Sequence, residues 1–395
     1  MALVPRFRYT VCLGRELLQV RLFKPSVGEE ELANIRAVFE RAWLGLGPLV
    51  GQFEKEWSEY IGAKTSVGVN SATAALHLSL TAFGFRPGKK VLIPAITFAS
   101  TATAALYNQL EPVFVDVEED TLSISLNDLE RKITADCVAV MPVHMGGHPV
   151  PMELLTDFAR RRQLAVIEDC AHCAGGSYRG RKLGMWGDIG CFSFEEKKSM
   201  TTGDGGMLSS NQPDLIEPLR AHRWVGIDKD TWKRAAGYTS PEALDARHWY
   251  YEVSVLGYKY NMNDLMAAIG LAQLKKLDRM NARRRSIIQR YLDGIRDCKR
   301  IRPLLPYQLE DSSYWIFGVR CDKRDDLILH LKKRGIATGV HYMPIPMHPL
   351  FRKYDRDIPV AKRVWQTMIT LPLFPDLTDP EVDYVVEALC AFECH

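Results

Sequence analysis

The chain has 395 residues, 47% hydrophobic and 25% charged, which suits a globular protein with room for one large domain and a smaller one. Lys and Arg total 51 against 48 Asp and Glu, a net charge of +3, so the basic footprint of a nucleic-acid or anionic-membrane binder is excluded. Nine cysteines without regular spacing exclude a disulfide frame and point to reduced thiols and a cytoplasmic location.

The opening MALVPR contains LVPR, half of a thrombin site. Residues 1–6 are therefore set aside as a candidate tag remnant within an N-terminal extension, 1–23. Arg6, Arg8 and Arg15 interrupt any signal-peptide core. From about residue 27, helical patterns alternate with short apolar runs. GEEELANIRAVFERAW, from Gly28, spaces its apolar residues as a helix does. After the run SVGV, Asn70-Ser71 opens a second helix, SATAALHLSLTAFG. KVLIPA, EPVFVDV, CVAVMPVH and LAVIED then read as short strands. The stretch VLIPAITFASTATAAL, from Val91, is broken by Pro94 and threonines and falls short of the roughly 18 apolar residues of a membrane span. Strands alternating with helices predict an α/β fold, a mostly parallel sheet with helices on both faces. From Tyr260, YNMNDLMAAIGLAQLKKLDRMNARRRSIIQRYLDGI is a long amphipathic helical pattern. It links a large unit, 24–265, to a smaller α+β unit, 266–395, which holds RPLL, SSYWIFGVRC and a final helix, EVDYVVEALCAF.

Chemistry in such a sheet gathers beyond the carboxyl ends of the strands. Asn70-Ser71-Ala72-Thr73 offers N–H groups and hydroxyls to a phosphate, or is a plain N-cap. Thr97-Phe98, after KVLI, offers an aromatic face for a flat cofactor, or a core residue. Asp169 ends LAVIED, where a carboxylate can hold a protonated ring nitrogen or simply close a strand. His172 follows, a ligand contact or a structural hydrogen-bonder. Cys170 and Cys173 flank it as small buried residues; a metal would need a second ligand cluster, and none is expected. SFEEKKSMTTGDGG, Ser193 to Gly206, sets Lys197-Lys198 before a glycine-rich turn. A desolvated lysine there is a nucleophile, although spacing does not say which of the two reacts.

Four stretches in this order, NSATAALHL, VIEDCAH, SFEEKKSMTTGDGG and GYKYNMNDLMAAIGLAQL, resemble the DegT/DnrJ/EryC1/StrS family of sugar aminotransferases dependent on pyridoxal 5′-phosphate (PLP). The resemblance runs from about Lys24 to the last helix. It implies fold type I, like aspartate aminotransferase, and a homodimer with shared active sites. In the family pattern Lys198 falls on the Schiff-base lysine, Lys197 on a variable position, and Asp204 where Glu is usual. A dehydratase branch carries His at the lysine position, so the lysine argues for transamination. The resemblance makes Lys198, Asp169 and His172 catalytic, with Asp169 on the pyridine nitrogen and His172 on the ring hydroxyl. Phe98 then stacks on the cofactor, Ala72, Thr73 and Ser193 hold its phosphate, and Asn261 reaches that phosphate from the neighbouring subunit.

The implied donor is L-glutamate and the acceptor a keto sugar, foremost a nucleotide-linked 4-keto-6-deoxyhexose, for a surface polysaccharide or glycosylated natural product. A 3-keto sugar, a free keto sugar acid and a keto-aminocyclitol are alternatives. C–S bond cleavage using Cys170, Cys173 or Cys191 and a non-catalytic scaffold are rival readings. GVHYMPIPMHPLF, from Gly339, resembles the family's substrate loop, making His341, Tyr342 and His348 candidate contacts to sugar or diphosphate. Arg223, in HRWVGIDKDTW, is a candidate phosphate contact. The Glu195-Glu196 pair is unusual in the variable part of the lysine motif.

Overall fold

The computed structural model describes residues 18–227, 249–307, 309–310, 312–354 and 357–393. The candidate tag remnant at 1–6 lies outside the described residues, as does HRWVGIDKDTW beyond residue 227. Two helices come first, α1 (Glu29–Glu40) and α2 (Pro48–Ile61). Then follow β1 (Thr65–Val69), α3 (Ala72–Ala82), β2 (Lys90–Pro94), α4 (Ala99–Tyr107), β3 (Glu111–Val115), α5 (Leu126–Lys132), β4 (Cys137–Val140), α6 (Met152–Arg161) and β5 (Ala165–Asp169). A small hairpin, β6 (Ser177–Tyr178) and β7 (Arg181–Lys182), leads to β8 (Ile189–Ser193) and β9 (Gly206–Ser210).

Seven strands form one sheet in the order β1-β9-β8-β5-β4-β2-β3. It is mostly parallel, as the sequence predicts; β9 alone runs against its neighbours. The reversal has a local cause. β8 and β9 are joined by the loop 194–205 with no crossover helix, and a chain that turns straight back pairs antiparallel. The run CVAVMPVH stops being a strand at Val140, because Pro142 has no N–H to give the ladder. Val143 keeps one isolated bridge, to Asp169.

Side-chain alternation assigns the helices to faces. Val91 and Ile93 of β2, Ile167 of β5 and Cys191 of β8 pack with α3 and α4 in one layer. Leu92 and Val166 point the other way, into the layer of α5 and α6. Phe192 and Met207 extend that second side with α2.

The helix Asp264–Gly294 is 31 residues long, about 46 Å at the α-helical rise. Asn263 caps it by accepting from the Met266 N–H at 2.9 Å. Its first half packs Ala267, Leu271 and Leu277 against α2. Its second half sends Ile287, Ile288 and Tyr291 into another core. That core surrounds a three-stranded antiparallel sheet, β10 (Arg302–Pro303), β11 (Phe317–Arg320) and β12 (Met368–Leu371), with helices Arg324–Lys333, Pro359–Thr367 and Asp379–Glu393. Val20 bridges Ile336, so the segment just before α1 lies along this second unit. Among the described residues no helix is long and apolar enough to cross a membrane.

Candidate active site

The carboxyl edge of the large sheet opens into a cavity of about 730 Å³. Val69 of β1 and Ser193 of β8 both pair with Gly206 of β9, so three chain segments meet at one edge. Glycine is required at 206: a Cβ there would stand 2.5 Å from the Ser71 carbonyl and 2.7 Å from the Ala72 nitrogen. Its absence lets β9 press against the turn that enters α3. Gly203, in the same TTGDGG turn, adopts the left-handed region at φ +85°.

That turn carries the first group of predicted residues. Ser71 does cap α3, accepting from the Ala74 N–H at 3.1 Å. Capping and anion binding are compatible here, because Ser71, Ala72 and Thr73 also line the cavity. First-turn N–H groups lack intrahelical partners, and the helix dipole favours a negative charge beside them. Thr73 and Ser100 hydroxyls meet at 2.6 Å, and Ser193 lines the same wall. A phosphate fits this donor set.

Asp169 ends β5 and is 4% exposed. Thr101 donates to its Oδ2 at 2.7 Å, and the Ala171 N–H donates to Oδ1 at 3.1 Å. Thr101 has one proton, so the 2.7 Å contact between Thr97 and Thr101 is a donation from Thr97. Burial pushes the Asp169 pKa up, and these two hydrogen bonds pull against it. A carboxylate so placed is stabilised by a cation, which a protonated pyridine nitrogen supplies. Replacing Thr101 with Val keeps the shape and removes the donor. A hydrogen bond to a charged group is worth about 1.5–3 kcal/mol, so kcat should fall about 10- to 100-fold. A steady-state change below about twofold would remove Thr101 from the site's working parts.

His172 is buried, with its ring stacked on Trp315 at 4.2 Å between centroids. Gly146 N–H donates to its Nδ1 at 3.4 Å, which places the ring proton on Nε2, 3.4 Å from the Tyr342 hydroxyl. Burial, then the nearby Lys198 charge, pushes its pKa well down and keeps it neutral. Phe98 is the N-cap of α4 and is 56% exposed, so it is a cavity wall and not a core residue. Tyr342 lies 5.8 Å from it, ring to ring.

Lys198 sits in the β8–β9 loop, partly buried in the cavity wall. Withdrawal from water pushes its pKa down to about 8, with Glu195 and Asp169 pulling it back up. Lys197 is exposed and pairs with Glu195 at 3.9 Å. The two lysines therefore differ in solvation, the property that sequence spacing left open. With a phosphate cradle, a buried carboxylate, flat ring faces and a desolvated amine, the residues present fit PLP.

The other predicted residues divide. His341 and Tyr342 line the cavity. His341 is held by Thr370 at 2.9 Å, and burial pushes its pKa down to about 4. His348 lies outside the lining; its backbone caps a short 3-10 turn, Pro349–Phe351. Asn261 bridges Val69 at the edge of β1, also outside the lining of its own chain's cavity. Arg223 needs correction. It is 1% exposed and pairs with Glu54, with Nη1 also donating to the Gly68 carbonyl at 2.7 Å. It is a packing cation between α2 and β1, buried and outside the cavity lining.

The structure also brings His144, and not His172, to Cys170 and Cys173. Both His144 nitrogens are engaged: Nε2 with Glu168 at 3.0 Å and Nδ1 with the Val150 N–H at 3.2 Å. Burial pushes both thiols up in pKa. A metal would have to break those bonds and deprotonate those thiols.

Several lining residues carried no sequence signal. Arg21 and Phe23 come from the segment before α1, and Trp315 from the approach to β11. Their roles depend on contacts across most of the chain. Thr101 was nearer to hand, one helical turn after Phe98.

The profile of the DegT/DnrJ/EryC1/StrS aminotransferase family matches residues 25–390. The spore coat polysaccharide biosynthesis protein SpsC of Bacillus subtilis is 38% identical over 378 residues, covering 92% of this chain and 95% of that protein. The aminotransferase TlmJ of Streptoalloteichus hindustanus superimposes with a TM-score of 0.86 at 32% identity, covering 94% of this chain and 98% of that one. Spr1654 of Streptococcus pneumoniae, in its PMP form, gives 0.86 at 28% identity, covering 95% and 99%. A match along almost the whole chain, on a fold of type I with a cavity that fits the cofactor, means that this protein belongs to the DegT/DnrJ/EryC1/StrS aminotransferase family and is a PLP-dependent aminotransferase.

Proposed function

We propose that the protein moves an amino group from L-glutamate to a keto sugar, with a nucleotide-linked 4-keto-6-deoxyhexose as acceptor. The observation that carries the transfer chemistry is Lys198, a desolvated amine facing a cavity whose wall also holds Asp169 and His172. Bound PLP supplies the electron sink that lets an amino group leave one substrate and enter another. The chain's own residues do the rest. Asp169 would hold the ring nitrogen's proton, and neutral His172 would orient the ring hydroxyl. The Lys198 amine, as free base, would take and return the proton at the substrate Cα. Arg21 on the cavity lining offers a cation to an anionic acceptor such as a nucleotide diphosphate. SpsC is named for polysaccharide biosynthesis, which supports a sugar acceptor. Buried thiols at Cys137, Cys170, Cys173 and Cys191 suit the cytoplasm as the place of action.

The same reading makes the working unit a homodimer. Asn261 does not line its own chain's cavity, and Phe98 in the cavity wall is exposed. A second copy would bring its Asn261 to the phosphate.

The test converts the protein to its PMP form with glutamate, removes the excess and adds keto sugars, nucleotide-linked and free. The PLP absorbance should return with nucleotide-linked 4-keto sugars, from a preparation that elutes as two chains. Return only with free keto sugars, or with none, would sink the acceptor. Full turnover by a single chain would sink the shared site.

A further inference from the structure

The Lys198 amine lies against a ring. Its Nζ stands 3.9 Å from the centroid of Trp315, a residue 3% exposed and distant in sequence. The same indole stacks on His172, and its other neighbours fix it tightly. Phe23 stacks on it at 5.1 Å with an interplanar angle of 2°. His341 meets it edge-on at 5.3 Å, and the Trp315 N–H donates to the Gly146 carbonyl at 3.0 Å. Its indole Nε1–H donates to the Lys197 carbonyl at 2.6 Å, in the turn that carries Lys198.

We propose that Trp315 is a positioning residue for Lys198, holding the amine by its ring face and the amine's turn by its Nε1–H. The proposal rests on Lys198 being the reactive amine. A carboxylate could hold the amine equally well, but it would favour the ammonium strongly and leave little free base. An aromatic face attracts the ammonium more weakly. It fixes the position and still lets the proton leave near neutral pH. The charged and titratable groups around the amine are Asp169 from β5, Glu195 and Lys197 from its own loop, and His172 and His341. Tyr342 lines the same cavity. Trp315 also ties the amine to the ring of His172, so both groups take their position from one side chain of the second unit.

The experiment uses the full-length protein freed of cofactor. Lysines are trace-labelled with acetic anhydride from neutral to alkaline pH, and Lys197 and Lys198 are read separately by fragment mass spectrometry. Tryptophan is replaced biosynthetically by monofluoro- and trifluorotryptophan, which keep the shape and drain the ring's π charge. The Lys198 labelling midpoint should fall stepwise with fluorine, by about half a pH unit or more in total, a change of about threefold in labelling at fixed pH. Lys197 should not move. In Trp315→Phe the midpoint should stay close to that of the unsubstituted chain and ignore fluorotryptophan, because among the described residues no other tryptophan faces the amine. Trp315→Leu, if it folds, should show the full fall. A midpoint indifferent to fluorine in the native sequence would overturn the proposal, as would an equal fall in Trp315→Phe. A native Lys198 midpoint at the ordinary lysine value would overturn the reactive-amine assignment, and the proposal with it.

Discussion

Replacing Lys198 with alanine is expected to lower kcat about a thousandfold or more, since a positioned acid–base group contributes roughly 10²- to 10⁴-fold and the proposed role of Lys198 also includes anchoring the cofactor. The loss should fall on kcat, because the phosphate cradle at Ser71–Thr73 and the Asp169 carboxylate remain in place to bind PLP. Borohydride treatment of the native enzyme should fix the cofactor to Lys198, with none fixed in Lys198→Ala. Label on Lys197 would overturn the assignment. The pH dependence has a definite sign. In the proposed role the acting form is the free amine, and burial holds its pKa down to about 8. The proton-transfer step should therefore rise with pH and level off above about 8. Lys198→Arg keeps the charge but cannot lose it, so it should be as inactive as the alanine variant at every pH.

Glu54→Ala is expected to cost about 3–5 kcal/mol of unfolding free energy, the usual cost of orphaning a buried charge. Glu54 is 5% exposed in α2 and serves several partners. Its Oε1 accepts from the Gly68 N–H at 2.8 Å and pairs with Arg223, while Oε2 accepts from Arg220 at 2.6 Å. Arg220 also reaches the Ser66 carbonyl at 3.0 Å. One carboxylate thus ties α2 and β1 to the short helical turn Leu219–His222. Removing it leaves Arg223 buried without its ion-pair partner. Urea denaturation followed by circular dichroism measures the loss. A value below about 1 kcal/mol would mean that water reaches Arg223 and the ion pair behaves as a surface one. The purified variant should keep its ability to form the PMP form with glutamate, since none of these groups lines the cavity.

Local pattern carried much of this protein. α1 and α3 show in the spacing of GEEELANIRAVFERAW and SATAALHLSLTAFG, and Ser71 marks the start of α3 by its capping chemistry. Asp169 was legible because the strand run LAVIED ends on it. The direction of β9 was not legible, since it depends on how the loop 194–205 folds back. Arg223 was misread because sequence shows a loop cation but not the Glu54 beneath it, far upstream in α2. Trp315 was missed for the same reason: its aromatic neighbours come from the segment before α1, from β5's end and from the 339–351 loop. Lys198 could be told from Lys197 only by resemblance in sequence, whereas burial distinguishes them physically.

Gly206 divides the lysine motif into two kinds of position. Lys198 lines the cavity, and in its proposed role it is a chemical choice. Gly206 is a geometric necessity, since any β-carbon would collide with the Ser71–Ala72 backbone and prise β9 from α3. Divergence can thus exchange the reactive group while the frame around it stands still. On the proposed reading a new reaction on this scaffold begins at Lys198, whereas a change at Gly206 disturbs the frame itself.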